Sequence, residues 1–396
     1  MNTVRKWSRF LSGLWKSYIH ILKRDRMVQV ASGLGAALLL AVILVPAITS
    51  WRMSPLSKPG SNRDMAVLGY YDEGGNSPDF PSSFPSVEAH HQLMDAISPV
   101  WYTVMADGSL KARSPKPDLV AYAHSKGLKV YPLFNNDLSG DKAGALKTAA
   151  TRSTAVSNIV DLIRKGDYDG VHIDFQLVPS SSRDALTAFI SELRDKLPRN
   201  KPLSMAVFPK IGIDPSVSGA YDYAALAKKV EFLVMMAYDR HSESSKAGPV
   251  SPNNWVEDNI KEFLKSGVPA NKLVVAVGTY GYDWPTSPTG ASLGGGGGDG
   301  TSGGAKSTPT KQALKIVSDM GVAIKHDSAS GNPYFEYTQG GTTRVVWFQD
   351  SKMLYNRLGL VRRYKLKGIA IWRLGYEEPA FWETLAKDLG KGKTRK

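Results

Sequence analysis

Eight short apolar runs, each followed by a longer stretch with helical periodicity, predict an α/β chain folded as a closed (β/α)8, or TIM, barrel. Two further observations support it. The runs recur regularly over about 310 residues, which favours closure over an open doubly wound sheet. They are also almost continuously apolar, as parallel strands covered by helices must be.

In chain order the strand-like runs fall at 66–71, 96–104, 129–134, 170–175, 203–208, 232–238, 273–280 and 368–372. Helical patterns occupy 117–126, 151–165, 182–197, 222–229, 252–266 and 349–364. About 65 residues between residue 280 and the last of these helices break the rhythm. They contain a glycine-rich run at 290–305, a helical stretch at 310–320, and strand-like patches at 323–326, 334–338 and 343–348. This predicts a small α+β insertion after the seventh strand, at about 285–345. The glycine run does not lead from a strand into a helix and lacks the spacing of a dinucleotide fingerprint, so it reads as a flexible loop.

The chain begins differently. Residues 27–51 carry no charge, and the core 30–45 is built of Ala, Leu, Val, Ile and Gly with one serine. About 20 apolar residues span a bilayer. Residues 1–26 hold seven basic side chains against one acidic, Asp25, which predicts a cytoplasmic N-terminus and an extracytoplasmic barrel. A cleaved signal peptide is the competing reading, and both export the rest. Trp7, Phe10, Leu11, Leu14, Trp15, Tyr18, Ile21 and Leu22 recur at helical spacing, which suggests an amphipathic helix on the anionic inner leaflet. The expected organisation is therefore a basic leader (1–26), a transmembrane signal anchor (27–51), a Ser/Pro/Gly-rich linker (52–64), the barrel (65–386) and a basic tail (387–396).

Composition removes several function classes. With no cysteine there is no disulfide, thiol nucleophile or cysteine-ligated zinc. The net charge of +14 is concentrated at the two ends, so the barrel carries no nucleic-acid groove. No metal-ligand spacing and no phosphate-binding lysine motif appear, and no cofactor is expected.

In such a barrel, chemistry resides at the C-terminal ends of the strands. There the sequence places Tyr71 and Asp72, Tyr102, Asn135 and Asn136, Asp174 and Gln176, Pro209 and Lys210, Tyr238 and Asp239, Tyr282 and Trp284, and Trp372 and Arg373. Aromatic rings beside polar groups suit a sugar, whose C–H faces stack while its hydroxyls hydrogen-bond. In Tyr168–Gln176 (YDGVHIDFQ), alternation puts His172, Asp174 and Gln176 on one face, the barrel interior.

This segment resembles the strand-four motif DGxDxDxE of glycoside hydrolase family 18, the chitinase-like family. Met236-Ala237-Tyr238-Asp239 resembles its strand-six MxYD, 368–372 its strand-eight end with a floor tryptophan, and 67–71 its first strand. Residues 278–284 (GTYGYDW) and 346–350 (VWFQD) look like the spore-germination, peptidoglycan-hydrolysing branch. The resemblance covers about 65–386 and implies substrate-assisted retaining catalysis. A strand-four glutamate protonates the leaving oxygen, and the substrate's own acetamido oxygen attacks the anomeric carbon. Carried over by position, Asp174 orients the acetamido group, Tyr238 contacts its oxygen, and Trp372 forms the floor. The substrate-binding set becomes Tyr71, Asp169, His172, Met236, Asp239 and Trp372, with Asp169 an inner structural carboxylate. No metal is required.

The chain departs from the family at Gln176, where the acid should stand, and at His172, where the family has Asp or Asn. An amide donates a hydrogen bond but releases no proton near neutral pH. Three readings follow. The protein recognises N-acetylglucosamine-containing glycan, such as peptidoglycan or a chitin-like polymer, with impaired or absent hydrolysis. Alternatively it is an active glycosidase cleaving β-1,4 N-acetylglucosaminyl linkages with a substitute acid (His172, Glu73 or Asp239). The third is a non-catalytic cell-envelope assembly protein.

Overall fold

The structure, a computed structural model, describes residues 65–75, 77–286 and 305–390, and the structural statements below concern these. The predicted leader, membrane anchor and linker, nearly all of the glycine-rich run and most of the basic tail lie outside them. Among the described residues no helix is long and apolar enough to cross a membrane.

The barrel is present and closed. Its strands are β1 (Ala66–Tyr71), β2 (Ala96–Val104), β5 (Leu133–Asn136), β6 (Val171–Asp174), β7 (Leu203–Val207), β8 (Phe232–Met235), β9 (Leu273–Gly278) and β15 (Gly368–Trp372). All eight neighbouring pairs are parallel, and β1 pairs with both β15 and β2 to close the ring. Closure brings backbones very near: a Cβ on Gly368 would lie 1.9 Å from the carbonyl oxygen of Ala66. Two short strands flank the ring. β3 (Leu110–Ala112) forms a hairpin with β2, and β4 (Lys129–Val130) is separated from β5 by Pro132, which has no N–H for the ladder.

Most of the barrel strands are apolar on both faces, and the two faces have different partners. Leu68, Tyr70, Val234, Met236, Val274, Ala276 and Ala370 fill the barrel interior. Val67, Ile97, Ile173, Leu233, Val275, Ile369 and Ile371 pack outward against the helices. Those helices form as their sequence requires. In Ala149–Lys165 the buried residues Ala155, Val156, Ile159, Val160 and Ile163 recur every three or four positions, and the Thr148 hydroxyl caps the first turn. Arg164 and Lys165 in the last turn face the negative end of the helix dipole. Asp222 and Asp350 cap the helices Tyr223–Lys229 and Ser351–Tyr364 in the same way.

The insertion is a five-stranded antiparallel sheet in the order β11-β10-β14-β13-β12. Its strands are β10 (Tyr280–Pro285), β11 (Lys306–Pro309), β12 (Lys325–His326), β13 (Pro333–Gln339) and β14 (Thr342–Trp347), with the helix Thr310–Met320 between β11 and β12. It begins earlier than expected. The apolar run 273–280 does not end one strand; the chain leaves the barrel at Gly278 and enters the second sheet at Tyr280. Gly281 permits the tight crossing, since a Cβ there would sit 2.0 Å from the carbonyl oxygen of Trp347. Two helices not expected from the sequence, Phe84–His90 and Pro379–Asp388, add to the cover.

Candidate active site

At the C-terminal mouth of the barrel, Tyr70, Asp174, Gln176, Met236, Tyr238 and Trp372 line one pocket, with Asp239 beside them. The pocket joins the ends of β1, β6, β8 and β15, so residues scattered over some 300 positions meet in space.

Asp174 ends β6 and is buried. Its only hydrogen-bond donor in the described structure is the Gln176 side chain, whose Nε2 lies 2.9 Å from Oδ1 and 3.0 Å from Oδ2. Burial pushes the Asp174 carboxyl up to about 6, and the bonds from Gln176 pull the other way. Gln176 Nε2 also approaches the Met236 sulfur at 3.7 Å.

The Gln176 backbone is clamped by the side chain of another residue expected at a strand end. Asn136, at the end of β5, accepts from the Gln176 N–H at 2.8 Å and donates through Nδ2 to the Gln176 carbonyl at 2.9 Å. The next residue, Leu177, has φ 53°, so the chain turns sharply just after Gln176.

His172 lies below Asp174 in the fully buried interior. Its Nδ1 is 2.8 Å from Ser204 Oγ, and its Nε2 is 2.9 Å from the Tyr70 hydroxyl. Ser204 spends its single proton on the Val171 carbonyl at 3.1 Å. It must therefore accept from His172 Nδ1–H, which leaves Nε2 to accept from Tyr70. Burial lowers the His172 pKa to about 3, so the ring is neutral. Its one N–H points at Ser204, and His172 has no proton to offer the cleft.

Tyr238 lines the pocket, and burial raises its hydroxyl pKa well above the usual range, helped by Tyr70, Asp174 and Asp239. Asp239 adopts φ 59°, and its Oδ1 accepts from the hydroxyls of Tyr280 at 2.5 Å and Tyr282 at 2.9 Å. Burial raises its carboxyl pKa and those two bonds lower it. Trp372, half-buried, stands edge-on to Tyr70 with ring centroids 5.0 Å apart. The Trp372–Arg373 peptide bond is cis.

Four expected site residues do not line the pocket: His172 lies beneath it, and three more lie elsewhere. Tyr71 points outward into the helix layer and its hydroxyl reaches Glu73 at 3.4 Å; Tyr70 occupies the interior place. The run VLGYY is apolar on both faces, so alternation alone did not say which tyrosine faces in. Asp169 sits before the start of β6, at the N-terminal end of the strand. It accepts there from the Val130 N–H at 2.8 Å and pairs with His124 at 2.8 Å. Glu73 is tied to Lys116 and accepts from Trp101 Nε1 at 3.4 Å, outside the pocket. Tyr280 and Tyr282, the acceptor-setting partners of Asp239, come from the insertion, and only the fold reveals that pairing. Among the described residues no cluster of His, Asp and Glu is arranged to hold a metal ion.

Comparison with known proteins agrees with this geometry. The profile described as glycosyl hydrolases family 18 matches residues 66–377. A cortical fragment-lytic enzyme of Bacillus subtilis is 27% identical over 341 residues, covering 83% of this chain and 75% of that protein. The uncharacterized glycosylase YvbX of Bacillus subtilis is 26% identical over 321 residues, covering 77% of this chain and 88% of that protein. The crystal structure of the Bacillus megaterium spore cortex-lytic enzyme SleL superposes with a TM-score of 0.71 at 25% identity, covering 85% of this chain and 75% of that one. With its barrel, its strand-four and strand-six side chains and its insertion in matching order, this chain belongs to glycosyl hydrolases family 18.

Proposed function

We propose that this chain is a membrane-anchored, extracytoplasmic protein that recognises N-acetylglucosamine-containing glycan and hydrolyses it slowly or not at all. One observation carries the reading: Gln176, which by the resemblance stands where the family has its proton donor, is an amide directed at Asp174. The rest of a cleft for a 2-acetamido sugar is in place. Asp174 is ready to accept the acetamide N–H, Tyr238 offers a hydroxyl, and Trp372 presents an aromatic surface. Losing a general acid removes about 10²–10⁴ in rate. The likeness to proteins named for spore-cortex lysis supports peptidoglycan as the glycan. The uncharged run 27–51 behind seven basic residues supports the anchor.

The test measures product release from chitotetraose and from peptidoglycan by the wild-type chain beside Gln176→Glu, with binding followed by calorimetry. Binding without turnover in wild type, and turnover in Gln176→Glu, is the expected outcome. A chain that binds neither polymer overturns the proposal. A second reading, an active glycosidase, draws on Asp239, a buried carboxyl of raised pKa in the same pocket. It prevails if wild type turns over and Asp239→Asn stops it. Retention of the chain in membranes after alkaline extraction tests the anchor.

A further inference from the structure

The charge of the barrel is divided between its two ends. The strands run parallel and the covering helices return against them, so every turn from such a helix into the next barrel strand lies at the end opposite the cleft. Hydrogen bonds join these turns into one face. Lys129 N–H donates to the Asp95 carbonyl at 3.0 Å, Lys201 Nζ to Tyr168 at 2.6 Å, Lys272 Nζ to Val230 at 2.8 Å, and Lys367 N–H to Leu273 at 2.9 Å. With the helix ends that lead into them, the turns occupy 90–95, 125–129, 164–170, 194–202, 228–231, 265–272 and 362–367, and the last helix ends there at 387–390. Together they hold seventeen Lys and Arg against six Asp and Glu, a net charge of +11. All the described residues carry only +3, so the remainder, the cleft mouth included, carries −8. Helix dipoles favour a cation in each last turn. Lys129, Arg199, Lys201, Lys272, Lys365 and Lys367, however, lie beyond the ends of the α-helices. Lys129, Lys165, Lys228 and Lys265 are exposed and have no carboxylate partner among the described residues. Elsewhere ion pairs are commoner, as in Lys116 with Glu73, Lys210 with Glu262 and Lys306 with Asp79.

Resting on the membrane-anchored reading above, we infer that this basic face docks on the anionic phospholipid headgroups of the membrane that holds the chain, and so directs the cleft away from the bilayer. Two observations name that occupant. The first strand starts on this face: Ala66 N–H donates to the Lys367 carbonyl at 2.9 Å, and Met65, just before it, is the first described residue. Residues 52–64, which separate Met65 from the uncharged run 27–51, can extend at most about 45 Å. The chain therefore enters the barrel from the side of the anchor at its basic end. The second observation is the sign of the charge. An anionic lipid surface attracts Lys and Arg, and it repels the net negative charge carried by the rest of the barrel, so a single orientation is favoured. The attraction reaches only about a Debye length, 8 Å at physiological ionic strength, so it acts with this end against the bilayer and not with another. A cleft at the far end then meets glycan strands and not lipid.

The experiment uses the full-length chain reconstituted into lipid vesicles. Because the chain has no cysteine, single substitutions carry a fluorophore: Asn200→Cys on the basic face and Ser244→Cys in the loop after β8 at the cleft mouth, both at exposed positions. A nitroxide on the lipid headgroup quenches whichever label lies near the bilayer. In vesicles of equal phosphatidylcholine and phosphatidylglycerol, the label at Asn200→Cys is expected to be quenched at least about threefold more strongly than that at Ser244→Cys. In phosphatidylcholine alone, or at about 1 M salt, the two should be quenched alike. Reversing four exposed cations together, Lys129→Glu, Lys165→Glu, Lys228→Glu and Lys265→Glu, should also remove the difference, with the urea midpoint showing that the variant is folded. Equal quenching of the two labels in the phosphatidylglycerol vesicles overturns the inference. So does a difference that persists in phosphatidylcholine and at high salt, since the tether alone would then set the orientation. If alkaline extraction strips the chain from the vesicles, the anchored reading fails, and sedimentation with phosphatidylglycerol vesicles decides the inference separately. Pelleting that the four substitutions abolish upholds it; pelleting that is absent, or that they leave unchanged, overturns it.

Discussion

Gln176 donates its side-chain amide to both carboxylate oxygens of Asp174, at 2.9 and 3.0 Å, and nothing else in the described structure donates to that carboxylate. In the reading proposed above, the pair stands where the family's acid and its orienting aspartate would be. An amide at that place donates a hydrogen bond but carries no transferable proton.

The first prediction concerns that proton. Gln176→Glu should raise hydrolysis of chito-oligosaccharides about 10²–10⁴-fold over wild type, as restored general acid catalysis does. Adding Asp174→Asn to it should remove the gain. Reducing-end release over time measures both.

Asn136 should matter mainly through Gln176, since its third bond, from Nδ2 to the Lys142 carbonyl, is longer at 3.3 Å. Asn136→Ala removes the two bonds that hold the Gln176 N–H and carbonyl. Leaving those half-buried groups unpaired costs up to about 1–3 kcal/mol of stability, read as a lower urea midpoint. In the Gln176→Glu background, Asn136→Ala should lower kcat with little change in KM, because the acid loses its aim. Asn136→Asp keeps the acceptor and should recover part of the loss.

Trp372 should carry much of the affinity. Trp372→Ala should weaken oligosaccharide binding by about 1–3 kcal/mol, roughly five- to 150-fold, while Trp372→Phe should keep most of it. Titration calorimetry with chitotetraose distinguishes the two. Equal affinity in wild type and Trp372→Ala would remove the tryptophan from the binding surface.

His172 should set an acid limit on stability. Its folded pKa is depressed from 6.5 to about 3 by burial, so the unfolded chain binds the extra proton first. The contribution of the neutral ring is therefore complete above 6.5 and is lost progressively as pH falls toward 3. Urea unfolding at intervals across that window should show a declining midpoint. His172→Gln, which does not titrate, should make the decline shallower.

Much of the architecture was legible in the chain itself. The runs at 66–71, 96–104 and 368–372 and the helix at 310–320 coincide with observed elements, because buried parallel strands and amphipathic helices write strong periodic signals. His172, Asp174 and Gln176 were legible together because a strand places alternate residues on one face. The tyrosine at the end of β1 was not. With both faces apolar, a one-residue slip exchanges Tyr70 for Tyr71 and no polar residue marks the error. Asp169 shares its motif with Asp174, yet it lies at the other end of the strand, beside His124.

The sequence by itself determined the repeating barrel, the absent cysteine, the charge at the two ends and the amide at Gln176, since each is a local property of residue type or period. Tertiary structure alone decided which groups meet. Asn136 reaches Gln176 across 40 positions, Tyr280 and Tyr282 of the insertion close on Asp239, and Tyr70 and Ser204 assign the tautomer of His172 from strands far apart in the chain. Such contacts depend on how the ring closes and on the register of its strands. Hydrogen bonds between distant side chains leave no period in the sequence that precedes them.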